Sequence, residues 1–255
     1  MRILLVNDDG FRASGIQTLF AVLKKDHDVW LVAPDREVSA VGHAITLRQV
    51  IRFERISPRV VAVEGSPTDC VNLAIYVLMP ERPDLILSGI NIGWNLSEDV
   101  TYSGTVAGAF EGAVHRIPSI AISVPSNSDA FDPLLQATAR WIKQNLESLT
   151  SAPIPRRVFL NINWPDRLKP LGVRITRLGQ RLHENQVIER TDPRGFPYFW
   201  LSRGEPVWES GADIDVETVR AGYISLTPLT VDWTHEPTKK QLESWLESTR
   251  LEIPV

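Results

Sequence analysis

Cysteine is almost absent from this chain. Of 255 residues only Cys70 carries a thiol, which excludes an internal disulfide and a cysteine-rich metal site and fits a reducing compartment. Cys70 falls within an apolar helical pattern and reads as a small buried hydrophobe rather than a nucleophile or ligand. No run of five or more basic residues occurs, and 27 Lys and Arg against 31 Asp and Glu give a net charge of −4. There is therefore no electrostatic footprint for duplex nucleic acid or for an anionic membrane, while a small anionic substrate, which needs only a local site, stays open. Long apolar runs are missing too. Met1-Arg2-Ile3-Leu4-Leu5-Val6-Asn7-Asp8-Asp9-Gly10 has four apolar residues before its two carboxylates, too few for a signal peptide or a membrane span, and a cytoplasmic protein is expected. A Gly-x-Ser-x-Gly nucleophile elbow is also lacking.

What is present points to an α/β protein. With 43% hydrophobic and 23% charged residues, the chain suits one large globular domain with a sizeable core. From residue 2 to about 150, short apolar runs alternate with helical periodicity, which predicts a Rossmann-like three-layer α/β/α sandwich with a mainly parallel sheet. Strands are expected at Ile3–Val6, Val29–Ala33, Leu85–Ser88 and Ser119–Val124, and helices at Gly15–Lys24, Pro67–Leu78, Gly104–Val114 and Pro133–Leu149. The second helix opens Ser66-Pro67-Thr68-Asp69, with a serine N-cap, proline at the first helical position and an acid in the first turn. The third spaces Gly104, Gly108 and Gly112 along one face, so that its backbone can approach a sheet or ligand closely.

Past about residue 160 the pattern changes to a hairpin-rich extension with a C-terminal helix. Strands are expected at Val158–Ile162, Val173–Leu178, Gln186–Arg190, Tyr198–Leu201 and Tyr223–Thr227. Five of the eight tryptophans, Trp164, Trp200, Trp208, Trp233 and Trp245, lie in this part. Hairpin arms with large aromatics and little core of their own bury themselves against the main domain or another subunit.

In an open parallel sheet, ligands bind at the carboxyl ends of the strands. The first strand ends in Asn7-Asp8-Asp9-Gly10, the second leads through Pro34-Asp35-Arg36 to Ser39, and the strand at Leu85–Ser88 runs out as Gly89-Ile90-Asn91-Ile92-Gly93-Trp94-Asn95. Adjacent carboxylates repel, and placing them together at a strand end is understood chiefly if a hard divalent cation sits between them. Oxygen donors from a serine and an asparagine would complete such a site, a set that suits Mg²⁺ or Mn²⁺ better than zinc. Tyr102-Ser103-Gly104-Thr105 just precedes the glycine-spaced helix and offers free N–H groups, hydroxyls and the positive end of a helix dipole, a cradle for phosphate. A metal-activated water is then the favoured nucleophile, with Asp9 orienting it or acting as base, although Asp8 is open to the same role. His43, shortly after Ser39, is a candidate substrate contact or a structural residue.

Several of these motifs together resemble the SurE survival proteins: Asn7-Asp8-Asp9-Gly10 with Gly15-Ile16-Gln17, Val32-Ala33-Pro34-Asp35 followed by Ser39, Gly65-Ser66-Pro67-Thr68-Asp69-Cys70-Val71, and Ser88-Gly89-Ile90-Asn91 through Tyr102-Ser103-Gly104-Thr105-Val106. The resemblance spans nearly the whole chain. It implies a 5′-nucleotidase that also takes 3′-nucleotides and short polyphosphate, one divalent cation held by Asp8, Asp9, Ser39 and Asn91, and phosphate near Asn95 and the Ser103–Thr105 turn. Asn7, Gly10 and His43 are further candidate substrate contacts. It also implies a homodimer or homotetramer in which a hairpin and the C-terminal segment reach across to a neighbour. One departure is visible: Ser97-Glu98 stands where the family commonly has a glycine. Two other classes share part of the pattern. Response-regulator receivers also place an acidic pair after their first strand, but are about half as long, and no predicted strand end here carries their phosphoacceptor aspartate and lysine. Haloacid-dehalogenase phosphatases need Asp-x-Asp rather than Asp8-Asp9-Gly10.

Overall fold

Alternate side chains of the first strand serve two different cores, and this sets the architecture. A computed structural model describes residues 1–126, 128, 131–182, 185–203, 207–208 and 211–249. In chain order the elements are β1 (Arg2–Val6), α1 (Ser14–Leu23), β2 (Asp28–Pro34), β3 (Phe53–Ser57), β4 (Val60–Val63), α2 (Pro67–Leu73) continued by a π-helical turn (Ala74–Leu78), and β5 (Leu85–Ile92). A 3₁₀ turn (Ser97–Thr101) leads to α3 (Gly104–Val114), β6 (Ser119–Val124), α4 (Phe131–Thr150), β7 (Val158–Asn163), β8 (Val173–Ile175), β9 (Arg181–Leu182) and β10 (Asn185–Thr191). β11 (Pro197–Arg203), β12 (Val207–Trp208), α5 (Asp215–Arg220), β13 (Ile224–Thr230) and α6 (Glu236–Ser248) complete the order.

Ile3 and Leu5 face one side of the sheet, where they meet Ile16 and Leu19 of α1 and Leu135 and Ile142 of α4. Leu4 and Val6 face the other side, against Val71 and Ile75. The period-two alternation of a strand thus feeds two helical layers, and the run must be apolar throughout because neither face meets water. Among the described residues the main sheet has nine strands in the order β3-β4-β2-β1-β5-β6-β7-β13-β8. β4, β2, β1, β5, β6 and β7 run parallel, and β3 and β13 are antiparallel to their neighbours β4 and β7. The expected α/β/α sandwich with a mainly parallel sheet is the observed fold.

Two expectations change in detail. β13 and β8, expected in the hairpin-rich extension packing on the main domain or on another subunit, are strands of the main sheet itself, because Ile224 and Leu226 reach the main core and draw their strand onto β7. The β3–β4 hairpin has no counterpart among the expected strands: β3 is exposed along its whole length and carries no burial pattern, while β4 is a buried apolar run of only four residues that the sequence reading passed over. Separate two-stranded ribbons do form from β10 with β11 and from β9 with β12. The side chains of Phe196, Phe199, Trp200 and Leu201 stand exposed in or beside the first ribbon, and Leu242, Trp245 and Leu246 are exposed on α6, which buries no residue. Trp164, by contrast, is buried and edge-on to Trp141. Among the described residues no helix is long and apolar enough to cross a membrane.

The α2 start follows its sequence chemistry. Ser66 Oγ accepts from the Asp69 amide at 3.1 Å and Asp69 Oδ2 accepts from the Ser66 amide at 2.9 Å, a capping box contributing about 1 kcal/mol. Cys70 is fully buried behind it, and burial pushes its thiol well up, which keeps it protonated and inert.

Candidate active site

β1, β2 and β5 are parallel neighbours, so their carboxyl ends open on one rim. A cleft of about 230 Å³ lies there, lined by Asp8, Asp9, Ser39, Asn91, Asn95 and Ser103 together with Glu37, Ala40, Ile92, Trp94, Asp99 and Tyr102. Six residues singled out from the sequence are thus brought together by three loops and one helix start. A more enclosed cavity of about 100 Å³ sits at the amino ends of β5, β6 and β7 among Pro118, Leu149, Ile154 and Leu160. Its lining has arginines but no carboxylate or imidazole, so the chemistry is on the opposite rim.

Asp8 is buried and Asp9 half-buried. The Thr105 hydroxyl donates to Asp8 Oδ1, and the backbone of Gly104 and Thr105 also favours the Asp8 anion. Burial nevertheless outweighs these donors and raises the Asp8 pKa. Asp9 is pushed up to about 7, first by burial and then by the charges of Asp8 and Glu37. Its Oδ2 is buried and has no hydrogen-bond partner among the described residues. A pair of carboxylates that repel each other, one with an orphaned oxygen, is a local excess of negative charge awaiting a cation.

The surrounding donors fit a hard cation. Asn91 Nδ2 donates to the Gly93 carbonyl at 2.7 Å, which leaves the side-chain oxygen as the available donor, and Ser39 offers an exposed hydroxyl that donates to Glu37 Oε1 at 2.7 Å. Among the described residues no three His, Cys, Asp or Glu side chains form a ligand cluster. A cation here would be held by two carboxylates and neutral oxygens, the donor set of Mg²⁺ or Mn²⁺.

The opposite wall is the start of α3. Ser103 is its N-cap, accepting from the Val106 amide at 3.1 Å. A Cβ on Gly104 would fall 2.6 Å from Asp8 Cβ, on Gly108 2.7 Å from Ser88 Oγ, and on Gly112 2.1 Å from Ser119 Oγ. The glycine stripe is what lets this helix lie directly on β1, β5 and β6. Asn95 is fixed by a fan of amides: its N–H donates to Asn163 Oδ1 at 2.9 Å, its Nδ2 to Ser123 Oγ at 2.8 Å, and its carbonyl accepts from Asn161 and Asn163.

Other expected site residues stand behind the cleft rather than in it. Asn7 is buried, with Nδ2 donating to the Gly10 carbonyl at 3.0 Å, and so braces the turn that presents Asp8 and Asp9. Gly10 has a φ of 93°, a left-handed conformation that favours glycine there. Thr105 is buried and acts through Asp8. His43 does not line the cleft; its Nε2 donates to Glu111 Oε2 at 2.7 Å. Glu37, which the sequence reading missed, lines the cleft, holds Ser39 and raises Asp9. Its signal was its place between Pro34 and Ser39, in a loop already assigned to the rim.

Comparison with known proteins places the fold and the family. The sequence profile described as survival protein SurE matches residues 3–185. The 5′-nucleotidase SurE of Pelobacter propionicus is 43% identical over 252 residues, covering 96% of this chain and all of that protein. The 5′-nucleotidase SurE 1 of Thermus thermophilus is 42% identical over 253 residues, covering 97% of this chain and 98% of the relative. The crystal structure of the SurE protein from Aquifex aeolicus superposes with a TM-score of 0.84 at 38% identity, covering 97% of this chain and 100% of that one. An α/β sandwich with an acidic cleft at its strand ends, matched in sequence and structure over nearly its full length, makes this chain a member of the SurE survival-protein family.

Proposed function

We propose that this chain is a divalent-cation-dependent phosphatase that hydrolyses nucleoside 5′-monophosphates to nucleoside and phosphate. The observation that carries the reading is the Asp8–Asp9 pair at the end of β1: the buried Asp9 Oδ2 has no partner among the described residues, and burial with the neighbouring charges of Asp8 and Glu37 raises the Asp9 pKa, an arrangement that a cation would stabilise. The names of the relatives, 5′-nucleotidase SurE, support the reaction class. Asp8, Asp9, Ser39 and Asn91 would hold one Mg²⁺ or Mn²⁺ ion. When bound, such an ion neutralises charge growing on phosphoryl oxygens and lowers the pKa of water.

The chain's own residues divide the remaining work. Thr105 and the first amides of α3 hold Asp8 in place. Asp9 orients the attacking water and takes its proton. Asn95, fixed by its polar neighbours, and Ser103 at the positive end of the α3 dipole receive the phosphate, while Gly104 and Thr105 serve it from behind through Asp8. The 3′-nucleotides and short polyphosphate fit the same cleft chemistry, since the phosphoryl group rather than the base meets these residues. The reading also takes residues 1–255 as one domain, working in the cytoplasm as a homodimer or homotetramer. The buried lone thiol supports the compartment. The exposed aromatic and aliphatic side chains of the β10–β11 ribbon and of α6 support the assembly.

The test is phosphate release from 5′-AMP by chelated protein, with Mn²⁺ or Mg²⁺ added back, beside Asp9→Ala. Activity that returns with the cation and is lost in the variant upholds the reading. Cation binding without turnover would move the protein to the class of binding modules.

A further inference from the structure

The stretch between β2 and β3, residues 35–52, contains no helix or strand, yet it supplies Ser39 and Glu37 to the cleft. Its fastenings are specific. The Val38 amide donates to the Asp8 carbonyl at 2.8 Å and the Gly42 amide to the Tyr102 carbonyl at 3.0 Å. The Thr46 amide and hydroxyl donate to the two oxygens of Asp69 at 2.9 and 2.7 Å, and Ser66 Oγ donates to the Ala44 carbonyl at 2.6 Å. Thus Ser66 and Asp69, which cap α2, also hold the far end of this loop. Between these points His43 adds a side-chain tie, donating to Glu111 at 2.7 Å and lying tilted on Phe110 with ring centroids 4.6 Å apart.

Glu111 is 6% exposed, two helical turns along α3 from the Gly104 that rests on Asp8. Its Oε1 accepts from Asn72 Nδ2 at 2.7 Å and from His115 Nε2 at 3.2 Å, which leaves Oε2 for His43. Burial works against the carboxylate, but the donors His43 and Asn72 and the nearby imidazoles hold its pKa below the ordinary value. The anion is therefore a fixed acceptor, aimed at the loop from a helix that cannot shift without disturbing Asp8.

We propose that His43 is a positioning residue for the phosphatase site: its bond to Glu111 fastens the Ser39 loop to helix α3, so that the Ser39 and Ser103 walls of the cleft are held at one separation. The inference rests on the phosphatase reading, and it assigns His43 no contact with substrate. A serine hydroxyl is a weak donor to a cation unless its loop is already in place, and the His43 bond supplies that order ahead of binding.

Amide hydrogen exchange of the metal-free protein and Mn²⁺ titration calorimetry, on native protein, His43→Ala and His43→Gln, test this. In His43→Ala, exchange across Ser39–Thr46 should quicken and Mn²⁺ affinity should fall by about tenfold. His43→Gln, whose amide can still donate to Glu111, should stay within about threefold of native protein in both readouts. A His43→Ala protein with native loop exchange, or with faster exchange but native Mn²⁺ affinity, overturns the inference. If KM for 5′-AMP rises while both readouts stay native, His43 is a substrate contact. A native protein that takes up no Mn²⁺ defeats the phosphatase reading instead, and the exchange data alone then decide whether the fastening exists.

Discussion

The Ser97 amide donates to Asp215 Oδ2 at 2.8 Å, and the Ser97 hydroxyl faces Oδ1 of the same carboxylate at 3.5 Å, joining the cleft loop to the first turn of α5 across 118 residues of sequence. Asp215 also accepts from the amides of Gly179 and Val216 at 3.1 and 2.8 Å. Ser97 itself is fully buried with a φ of 51°, in the left-handed region where a glycine is more at ease. The departure from the family's common glycine is therefore a residue in a glycine conformation, held there by a buried carboxylate.

Removing the acceptor should cost more than removing the hydroxyl. Asp215→Ala orphans the Ser97, Gly179 and Val216 amides and is expected to lower unfolding free energy by about 3 kcal/mol or more. Ser97→Gly keeps the amide donor, relieves the backbone and should change stability by less than about 1 kcal/mol. Urea denaturation measures both. Equal losses in the two variants would show that the carboxylate is not the joint.

How much of this could be read beforehand depends on whether a residue's role is local. The β1, β2, β5 and β6 runs are mainly apolar, interrupted by small buried residues such as Ser88, Ser119 and Ser123, because both faces of each strand are covered. Asp8 and Asp9 follow from where the first run stops and Asn91 from the expected stop at Ser88, although β5 itself continues to Ile92. The Ser66–Asp69 cap is equally local. In the β3–β4 hairpin only β3 was hidden, since Phe53–Ser57 is exposed throughout; β4, Val60–Val63, is a short buried apolar run that the sequence reading passed over. Tertiary partners were hidden for a different reason. Nothing near Thr105 in sequence says that its hydroxyl turns to Asp8, 97 residues away, and nothing near His43 points to Glu111, 68 residues away. The loops at the rim were legible; the contacts that brace them from behind were not.

Gly104 should not tolerate a methyl group. The added Cβ would stand 2.6 Å from Asp8 Cβ and 2.9 Å from its Oδ2, and neither can give way freely, because the backbone follows directly from β1 and Thr105 holds the carboxylate through its other oxygen, Oδ1. Gly104→Ala is expected to cost about 1–3 kcal/mol of stability through overpacking. Phosphatase activity should fall by about 100-fold or more because Asp8 is displaced. Thermal unfolding and 5′-AMP turnover at saturating Mn²⁺ check the two effects, and a variant with native turnover would refute the tight approach of α3 to β1.

The Thr105 hydroxyl should matter through Asp8 alone. Thr105→Val keeps the shape but deletes a donor to a buried anion, a loss of about 1.5–3 kcal/mol where the acceptor is charged. Mn²⁺ affinity should weaken by about tenfold or more in consequence, whereas Thr105→Ser should stay near native. Calorimetric titration separates the pair. If valine and serine variants bind Mn²⁺ alike, the hydroxyl is not what holds Asp8.

The acidic pair should also govern how the metal-free protein responds to pH. With Asp9 pushed up to about 7 in the folded protein, against about 3.9 for an aspartate in an unfolded chain, the folded state holds a proton between those values that the unfolded state has released. Stability must therefore fall as pH rises through that window, the reverse of the usual aspartate, whose lowered pKa favours folding at higher pH. In EDTA, the melting temperature should be lower at about pH 8 than at about pH 5.5, and Asp9→Asn should flatten the slope. Comparing the native protein with the variant cancels the other groups that titrate in the same range. Added Mn²⁺ competes with the proton for the same oxygens, so its stabilising effect should grow with pH in native protein and not in the variant. Parallel melting curves for native protein and Asp9→Asn across this range would mean that Asp9 ionises as an ordinary exposed carboxylate, and the charge argument for a cation site would lose its footing.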